Sequence, residues 1–357
     1  MSELREKITN VPNIYGSQTK KNNNKLDENS TILVTGGAGL IGSSIIKKLN
    51  DLNIVKIDVC DKLGKSDKWK NLSPLKFRNY IELNEFKEIL DREYVFDYDY
   101  IFHLGACSDT TEEDMSFLIE NNYRFTCKLI NRFASNGKFI YASSAATYGN
   151  NFMPFSDDEK FLDELRPLNK YAFSKHLIDK TVQNNNGFQQ LGIVSLKYSN
   201  VYGPNEYHKG NMRSMFIKCY EQIQKQGFVE LFKSYKNEYK DGEQVRDFIY
   251  VKDAADMTLF FALEGKHLNG IYNIGSGQTK SWNDLAKAMF NALGKEVNIK
   301  YIDMPEKLKD KYQYYTCLDI QKIRSAGYNK ELYTIENAAI DYVKYLKDNK
   351  HLGEESE

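Results

Sequence analysis

The sequence has no excess of charge of either sign and no long apolar run. Lysine plus arginine and aspartate plus glutamate each number 49 among 357 residues, so the formal net charge is zero. Bulk electrostatic attraction to nucleic acid or to an anionic membrane is therefore not expected. No apolar stretch approaches the length of a membrane span, and the N-terminus has no apolar secretory core. We therefore expect a cytoplasmic protein that binds neither nucleic acid nor membrane.

The cysteines are too few and too scattered for a disulfide framework. They contain no Cys-x-x-Cys pair, the spacing by which structural zinc is often bound, so we expect no metal site. Reduced and mostly buried thiols suit a cytosolic chain. The five are Cys60, Cys107, Cys127, Cys219 and Cys317.

A glycine-rich stretch near the N-terminus has the sequence context of a dinucleotide site. Residues 31–35 are a short, branched apolar run that predicts a buried strand, residues 36–42 read Gly-Gly-Ala-Gly-Leu-Ile-Gly, and helical spacing follows from residue 43. The glycines let backbone N–H groups approach a pyrophosphate, and the helix N-terminus adds favourable partial charge. The spacing of Gly36, Gly39 and Gly42 differs from the Gly-x-Gly-x-x-Gly form.

A second predicted strand, residues 54–60, ends at Asp61. Asp61 lies where a carboxylate could accept hydrogen bonds from the adenosine ribose, and Asp58 is a mid-strand alternative. Such a carboxylate usually favours NAD, whereas the nearby Lys62 and Lys68 could pair with a 2′-phosphate. The residues alone therefore leave NADP against NAD open.

The stretch 141–149 and the stretch 171–175 supply candidate catalytic side chains. The first predicts a buried strand end that delivers the hydroxyl of Ser144, and the second places Tyr171 and Lys175 four residues apart, on one face of a helix. A lysine ammonium favours the phenolate of a nearby tyrosine. A phenolate poised near neutral pH could take a proton from a substrate hydroxyl while hydride leaves the same carbon.

Further predicted strands alternate with helical patterns. Residues 99–106, 138–142 and 191–198 read as strands, so we predict an α/β fold with a doubly wound parallel sheet. His103 could be a base, but in a buried strand we favour a hydrogen-bonded core histidine.

The second half of the chain reads as a smaller α+β region. Residues 205–245 form a polar insertion with a helix from about residue 212 to 226, and residues 246–251 return as a strand. Ser281 and Asp284 form a plausible capping pair for a helix to about residue 293. We therefore predict a flexible tail at 1–29, a Rossmann domain at 30–200 plus 247–275, a substrate domain at 201–246 plus 276–347, and a C-terminal tail at 348–357.

These motifs together resemble a known superfamily. The loop at 36–42, Ser144, Tyr171 and Lys175 resemble the extended short-chain dehydrogenase/reductases. Narrower stretches, residues 102–108, 141–149 and 200–204 together with 208–210, resemble the ADP-L-glycero-D-manno-heptose 6-epimerases. The similarity runs from about residue 31 to about residue 345.

The resemblance implies an isomerase of nucleotide-sugar metabolism. In that family a tightly held NADP oxidises the side-chain (C6) carbinol of ADP-heptose and returns the hydride to the opposite face, which makes a precursor of the lipopolysaccharide inner core. Tyr171 and Lys209 would be the two acid/base residues, Lys175 would support Tyr171 and the nicotinamide ribose, and Ser144 would hydrogen-bond the reacting oxygen. The family also implies a homo-oligomer, a pentamer.

The resemblance implies two further sets of contacts. The cofactor set is Leu40, Ile41, Asp61, Lys62, Lys68, Leu104, Gly105, Ala106, Cys107, Ser108, Asn121, Lys175 and Val201. The substrate set is Asn200, Asn211, Lys218, Phe232, Lys233, Ser234, Arg246 and Tyr312. Arg246 suits a diphosphate because a guanidinium binds oxyanions in a bidentate manner. The chain departs from the family pattern at Asn211, at Lys218 and in the longer loop 233–245.

Three alternatives use the same fold. A sugar-nucleotide 4,6-dehydratase requires a carboxylate pair beside the catalytic hydroxyl. Here Ser144 is followed by two alanines, which argues against a dehydratase. A UDP-hexose 4-epimerase needs no second base such as Lys209, which from the residues alone would be a phosphate-binding or surface lysine. A cofactor-bound protein without catalysis commonly lacks part of the set Ser144, Tyr171 and Lys175, which is complete here.

Overall fold

The computed structural model describes residues 26–91, 97–149, 155–309 and 312–354. Most of the N-terminal tail predicted at 1–29 lies outside the described residues. Leu26, the first of them, is already buried. In the described parts of the chain, no helix is both long enough and apolar enough to cross a membrane.

The strands are short and mostly buried. They are β1 (Ile32–Thr35), β2 (Ile57–Asp61), β3 (Asn79–Glu82), β4 (Tyr100–His103), β5 (Lys138–Ser144), β6 (Val194–Tyr198), β7 (Asn200–Tyr202), β8 (Val229–Phe232), β9 (Val245–Arg246), β10 (Phe248–Tyr250), β11 (Gly270–Ile274), β12 (Lys280–Ser281) and β13 (Ile299–Ile302).

The helices alternate with these strands along the chain. They are α1 (Leu40–Asp51), α2 (Leu83–Asp91), α3 (Met115–Leu118), α4 (Phe125–Phe133), α5 (Lys170–Asn184), α6 (Gly187–Leu191), α7 (Met215–Gln226), α8 (Val251–Leu263), α9 (Trp282–Ala292), α10 (Glu306–Lys309), α11 (Gln321–Ser325) and α12 (Ile335–Asp348). Short 3-10 helices lie at Asp67–Asn71, Ala145–Tyr148, Glu159–Glu164 and Tyr207–Met212.

In the described chain, seven strands form one parallel sheet in the order β11-β6-β5-β4-β1-β2-β3. This confirms the predicted doubly wound fold. The order reverses between β1 and β4, so the loops that follow these two strands diverge to opposite faces. In open α/β sheets the crevice at this reversal binds ligands.

The sheet is covered on both faces. Residues of β1 alternate between the two covers: Ile32 and Val34 pack with Ile45 of α1, whereas Leu33 packs with Phe125 of α4 and Ile178 of α5. A strand buried on both faces reads as a continuous branched apolar run, and for this reason the sequence predicted it.

The second half of the chain has its own apolar core. Phe216 of α7, Met289 of α9 and Tyr342 of α12 pack together, and the parallel pair β8–β13 adds Leu231. Helix α9 begins with the predicted capping box, in which Ser281 accepts from the Asp284 N–H and the Asp284 side chain accepts from the Ser281 N–H. The division of the chain into two domains stays a prediction.

Two segments differ from the sequence prediction. The strand expected at 246–251 is broken at Asp247: β9 pairs antiparallel with β12, and β10 pairs parallel with β7. The break lets the buried Asp247 carboxylate accept from the Ser276, Gly277 and Leu318 backbone N–H groups.

The second difference lies at the C-terminus, predicted as a tail from residue 348. There His351 and Leu352 are buried, and Leu352 packs with Leu40 and Val251.

Candidate active site

A cleft of about 910 Å³ opens beside the glycine-rich loop and the carboxyl ends of β4 and β5. It brings together predicted residues that are far apart in sequence. Those lining it are Gly36, Gly39, Leu40, Ile41, Gly42, Asp61, Lys68, Leu104, Gly105, Ala106, Cys107, Ser108, Ser144, Tyr171, Lys175, Asn200, Val201 and Lys209.

The glycine-rich loop is folded too tightly for side chains at two of its glycines. Gly36 has a φ of +68°, and a Cβ there would lie 2.6 Å from the Gly105 nitrogen. A Cβ on Gly42 would lie 2.2 Å from the Gly36 carbonyl oxygen. Gly39 is the N-cap of α1 and has no side chain to cap the first N–H groups of the helix. This uncapped N-terminus in the cleft fits the pyrophosphate of a dinucleotide.

Asp61 fastens the loop to the end of β2. One carboxylate oxygen accepts from the Ala38 N–H at 2.8 Å, and the other accepts from Lys68 Nζ at 2.5 Å. The alternative, Asp58, is engaged elsewhere, because it accepts a bidentate bond from Arg78 and a further bond from Tyr98. Asp61, rather than Asp58, therefore faces the cleft.

The loop after β4 is held by a residue that the sequence did not single out. Buried Asn122 accepts from the Cys107 N–H at 2.8 Å and donates to the Cys107 carbonyl and to Ser174 Oγ, both at 3.0 Å. Asn122 lies in a π-helical stretch, Ile119–Arg124, that joins α3 to α4. The predicted contact Asn121 lies elsewhere, with its side chain bonded to Lys87 and to the Phe117 carbonyl.

His103 is a core histidine, as predicted. Its Nε2 lies 2.7 Å from Thr126 Oγ1, which itself donates to the Asn122 carbonyl, so Nε2 carries the proton. Its Nδ1 accepts from Thr35 Oγ1 at 2.6 Å. Burial, with a smaller contribution from the Lys175 charge, lowers the His103 pKa to about 3. The neutral ring has both nitrogens engaged and none free for catalysis.

Ser144, Tyr171 and Lys175 meet at the floor of the cleft. The sequence predicted that the Lys175 ammonium lowers the pKa of Tyr171, and this prediction is wrong. Burial raises the Tyr171 pKa, and the hydrogen bond with Ser144 is what opposes this rise. Lys175 Nζ instead donates to the Ala142 carbonyl at 2.9 Å. Burial lowers the Lys175 pKa to about 8.

A buried ion pair that sequence reasoning missed lies beneath this floor. Asp179, one helical turn after Lys175, accepts from Tyr141, Ser143 and Ser195 and lies 3.1 Å from Lys197 Nζ. Burial opposes ionisation of Asp179, but Lys197 and the three hydroxyls keep its pKa below the usual value. The sequence signal that could have indicated it was the four-residue spacing of Lys175 and Asp179, which places both side chains on one face of a helix.

Lys209 enters the cleft from the 3-10 helix Tyr207–Met212. Burial lowers its pKa, and Glu206 opposes that shift. The Glu206 carboxylate is itself fully used, because it accepts from Ser214, Tyr342 and the Gly203 N–H. Lys209 is thus a partly desolvated amine, and it reaches the cleft from a different segment of the chain than Tyr171.

Arg246, predicted for the diphosphate, and Tyr312, a further predicted substrate contact, are outside the lining of the cleft but contact Trp282, which is part of it. Trp282 lines the cleft and donates from Nε1 to Tyr312 at 2.8 Å. Arg246 is buried, with its guanidinium 5.3 Å from the Tyr312 ring centre and 5.6 Å from that of Trp282. These aromatic faces orient the guanidinium by cation–π contact.

The other predicted contacts lie outside the lining of the cleft. Lys218 Nζ donates to the Asn211 carbonyl at 2.8 Å, Lys233 pairs with Asp303 at 3.2 Å, and the Ser234 N–H donates to Asp241. Phe232 ends β8, and Lys62 is exposed. Among the residues described, no group of three or more histidine, cysteine, aspartate or glutamate side chains could hold a metal ion.

The fold and this cleft define a class of protein that a family model also recognises. The model described as "NAD dependent epimerase/dehydratase family" matches residues 32–275, and the chain belongs to that family. Its members take a nicotinamide cofactor, and the glycine-rich loop provides the place for one.

More specific relatives carry the name ADP-L-glycero-D-manno-heptose-6-epimerase. The protein of that name from Nitratidesulfovibrio vulgaris strain DP4 is 45% identical over 314 residues, which is 87% of this chain and 96% of the relative. The one from Fusobacterium nucleatum is 45% identical over 335 residues, 90% of this chain and 100% of the relative.

A solved structure agrees. The Helicobacter pylori ADP-L-glycero-D-manno-heptose-6-epimerase superposes with a TM-score of 0.75 at 29% identity, covering 92% of this chain and 99% of that one. The resemblance stated from the sequence motifs is therefore confirmed, and the protein is an isomerase of this kind.

Proposed function

We propose that the protein inverts the C6 carbinol of ADP-glycero-manno-heptose by transient oxidation and reduction with bound NADP, in the synthesis of a lipopolysaccharide inner-core precursor. The observation that carries the proposal is that Tyr171 and Lys209 line one cleft from different segments, with the glycine-rich loop in the same cleft. Inversion of one carbon requires a proton acceptor for each orientation of its hydroxyl. A single tyrosine would serve only one of the two orientations.

The two candidate acid/base groups are shifted in opposite directions. Burial raises the pKa of Tyr171 and lowers the pKa of Lys209. Tyr171 is therefore suited to donate a proton to the carbonyl oxygen in one direction and, as the phenolate that this leaves, to accept a proton in the reverse direction. In catalytic acid/base pairs, the environments of the two groups typically shift their pKa values in opposite directions. Ser144 would hydrogen-bond the reacting oxygen, and Lys175 would hold its charge beneath Tyr171. A nicotinamide cofactor held by the glycine-rich loop would supply the acceptor, and then the donor, of the hydride of C6.

The choice of NADP over NAD belongs to the proposal. Lys68 lines the cleft, and its ammonium pairs with Asp61 at 2.5 Å. A 2′-phosphate would draw Lys68 away from Asp61, whereas NAD would leave the pair in place. Mass spectrometry of the nucleotide released from purified, denatured protein distinguishes the two cofactors.

The test is an epimerisation assay on purified protein without added cofactor. ADP-D-glycero-D-manno-heptose is supplied, and proton NMR follows both epimers. We expect the wild type to bring them to equilibrium, and Tyr171→Phe and Lys209→Met each to slow this at least about 100-fold, the usual weight of general acid/base catalysis. Lys344→Met, at an exposed position on α12, is the matched control and should keep wild-type activity.

Other outcomes would overturn parts of the proposal. If the wild type leaves the heptose unchanged, the substrate is wrong, and a UDP-hexose 4-epimerase becomes the next candidate. If Lys209→Met retains full activity while Tyr171→Phe does not, the two-base scheme fails. Assembly into a homo-oligomer, a pentamer by family resemblance, is also proposed, and the mass of the purified particle by light scattering tests it.

A further inference from the structure

A buried asparagine outside the cleft joins the cofactor loop to the segment that carries Lys209. Asn71 ends the 3-10 helix Asp67–Asn71 and is 1% exposed. Its Nδ2 donates to the Ala38 carbonyl at 2.8 Å, in the glycine-rich loop, and to the Asn205 carbonyl at 2.9 Å. The same amide nitrogen lies 3.3 Å from Nδ1 of His208, the neighbour of Lys209.

The remaining atom of the Asn71 amide is also used. Because Nδ2 donates, Oδ1 must accept, and it lies 2.7 Å from Nδ1 of His351. His351 comes from the C-terminal segment, which was predicted to be a tail. A single buried amide thus connects three parts of the chain: the cofactor loop, the segment before Lys209 and the C-terminus.

Asn205 shows that this arrangement is constrained. It is buried with a φ of +81°, a left-handed conformation that asparagine tolerates better than most residues. Its side chain donates to Ser43 Oγ of α1 and accepts from the Leu352 N–H, both at 2.9 Å. The backbone that leads into Lys209 is therefore bonded on one side to the cofactor-binding helix and on the other to the C-terminal segment.

We infer that Asn71 is a positioning residue for Lys209, setting the distance between the amine and the cofactor loop. The inference rests on the proposed function, in which Lys209 is one of the two acid/base groups. Asn71 lies outside the lining of the cleft in the described chain, so it acts through the Asn205–Lys209 segment and not by contact with substrate. Removal of its amide leaves the buried Ala38 and Asn205 carbonyls without this donor, a condition that proteins avoid.

The experiment separates the two half-reactions. Each epimer is mixed in turn with NADP-loaded protein, and the first turnover is followed by absorbance of the reduced nicotinamide. In Lys209→Met, oxidation of one epimer should be lost and oxidation of the other, served by Tyr171, retained. We expect Asn71→Ala to slow oxidation of that same epimer by about tenfold or more, the effect of losing about one hydrogen bond's free energy, and to spare the other.

A second readout is independent of activity. Hydrogen exchange of the backbone amides at 203–212 should be faster in Asn71→Ala, whereas exchange in α5 should be unchanged. His351→Ala removes the bond between His351 and Asn71 Oδ1, which lies outside the cleft. It should cause the same slower oxidation of one epimer and the same faster exchange at 203–212, both to a smaller extent. The matched controls are Asn291→Ala and His267→Ala, both at exposed positions.

The outcomes distinguish the two proposals. If Lys209→Met affects both epimers equally, the two-base scheme fails. If Lys209→Met affects one epimer but Asn71→Ala slows both by the same factor, Asn71 supports the fold and not Lys209, and the inference is overturned. If Asn71→Ala changes neither the half-reactions nor the exchange at 203–212, it is overturned as well.

Discussion

At the scale of single residues, the notable feature is a lysine charge buried at the floor of the cleft. Lys175 is only 3% exposed, and burial lowers its pKa from 10.5 to about 8. Asp179 opposes this shift but is itself bonded to Lys197 and three hydroxyls. A charge kept in so dry a place destabilises the fold, and proteins retain such a group for function.

The first prediction concerns Lys175→Met. Between pH 8 and pH 10.5 the unfolded chain holds a proton on Lys175 that the folded chain has lost, so the stability of the wild type rises with pH in this window. Below pH 8 both states are protonated, and the full burial penalty of about 3 kcal/mol applies, at 1.36 kcal/mol per pKa unit. Relative to the wild type, Lys175→Met should therefore be more stable at pH 7 than at pH 10, by about 2–3 kcal/mol.

Denaturant unfolding at the two pH values measures this difference. The ammonium at pH 7 and the neutral amine at pH 10 can both donate to the Ala142 carbonyl, so the loss of this bond contributes to both measurements, and somewhat more at pH 7. Lys344→Met, on the exposed face of α12, should show no such pH dependence. An equal effect of Lys175→Met at pH 7 and pH 10 would mean that the Lys175 pKa is not lowered by burial.

At the scale of elements, the glycine-rich turn before α1 is the most constrained. In Gly42→Ala the added Cβ would lie 2.2 Å from the Gly36 carbonyl oxygen, well inside contact distance. The turn must open, and the N–H groups at the start of α1 must move. We expect the variant to lose its co-purifying nucleotide and to be less stable by about 1–3 kcal/mol, as overpacked sites are.

Bound nucleotide is quantified after denaturation, and circular dichroism reports whether the fold is kept. Ser44→Ala, two residues along the same helix, removes only a hydroxyl bonded to the Leu40 carbonyl and should keep its nucleotide. Full retention of nucleotide by Gly42→Ala would show that the tightness of this turn does not matter for binding.

The elements themselves were largely predictable from the sequence, for local reasons. Val34 and its neighbours form an apolar run that is too short for a helix and that forms β1. Gly137 ends a helical pattern in the sequence, and in the structure α4 ends shortly before it, at Phe133. A Cβ on Gly137 would lie 2.2 Å from the Tyr98 carbonyl. The capping pair of α9 was visible as Ser281 and Asp284. Signals of this kind depend on a few adjacent residues.

The site was predictable only where its residues follow such elements. Tyr171 and Lys175 share a helix face, and Asp61 follows a strand, so their approach to the cleft could be expected. The partners of Lys175 could not, because its contact with Ala142 depends on how α5 packs on β5. Asn121 was assigned from the family resemblance, whereas the residue that bonds the loop at Cys107 is its neighbour Asn122. Both lie in a π-helical stretch, and spacing of 3.6 residues per turn does not anticipate which side chain faces the loop there.

At the scale of the whole molecule, the C-terminal segment belongs to the fold. Leu352 is 4% exposed and packs against Leu40 and Val251, and its N–H donates to Asn205. A chain that ends at Asp348 loses these contacts and the His351 bond. We expect its free energy of unfolding to fall by about 2–4 kcal/mol, from one buried leucine and two buried hydrogen bonds.

Chemical denaturation of the purified proteins tests this. A chain that ends at Glu354 is the control, since it keeps His351 and Leu352 and should match the full-length protein. Equal stability of the chain that ends at Asp348 would show that the segment does not contribute to the fold.

The contact between Asn71 and His351 joins residues 280 positions apart. A chain is synthesised from its N-terminus and tends to fold domain by domain in that order. The strands that carry the glycine-rich loop are complete early, but the bond from the C-terminus forms only when almost the whole polypeptide exists. A nascent chain can therefore form the strands that carry the glycine-rich loop long before His351 is available to Asn71, so the proposed positioning of the Lys209 segment is completed only near the end of synthesis.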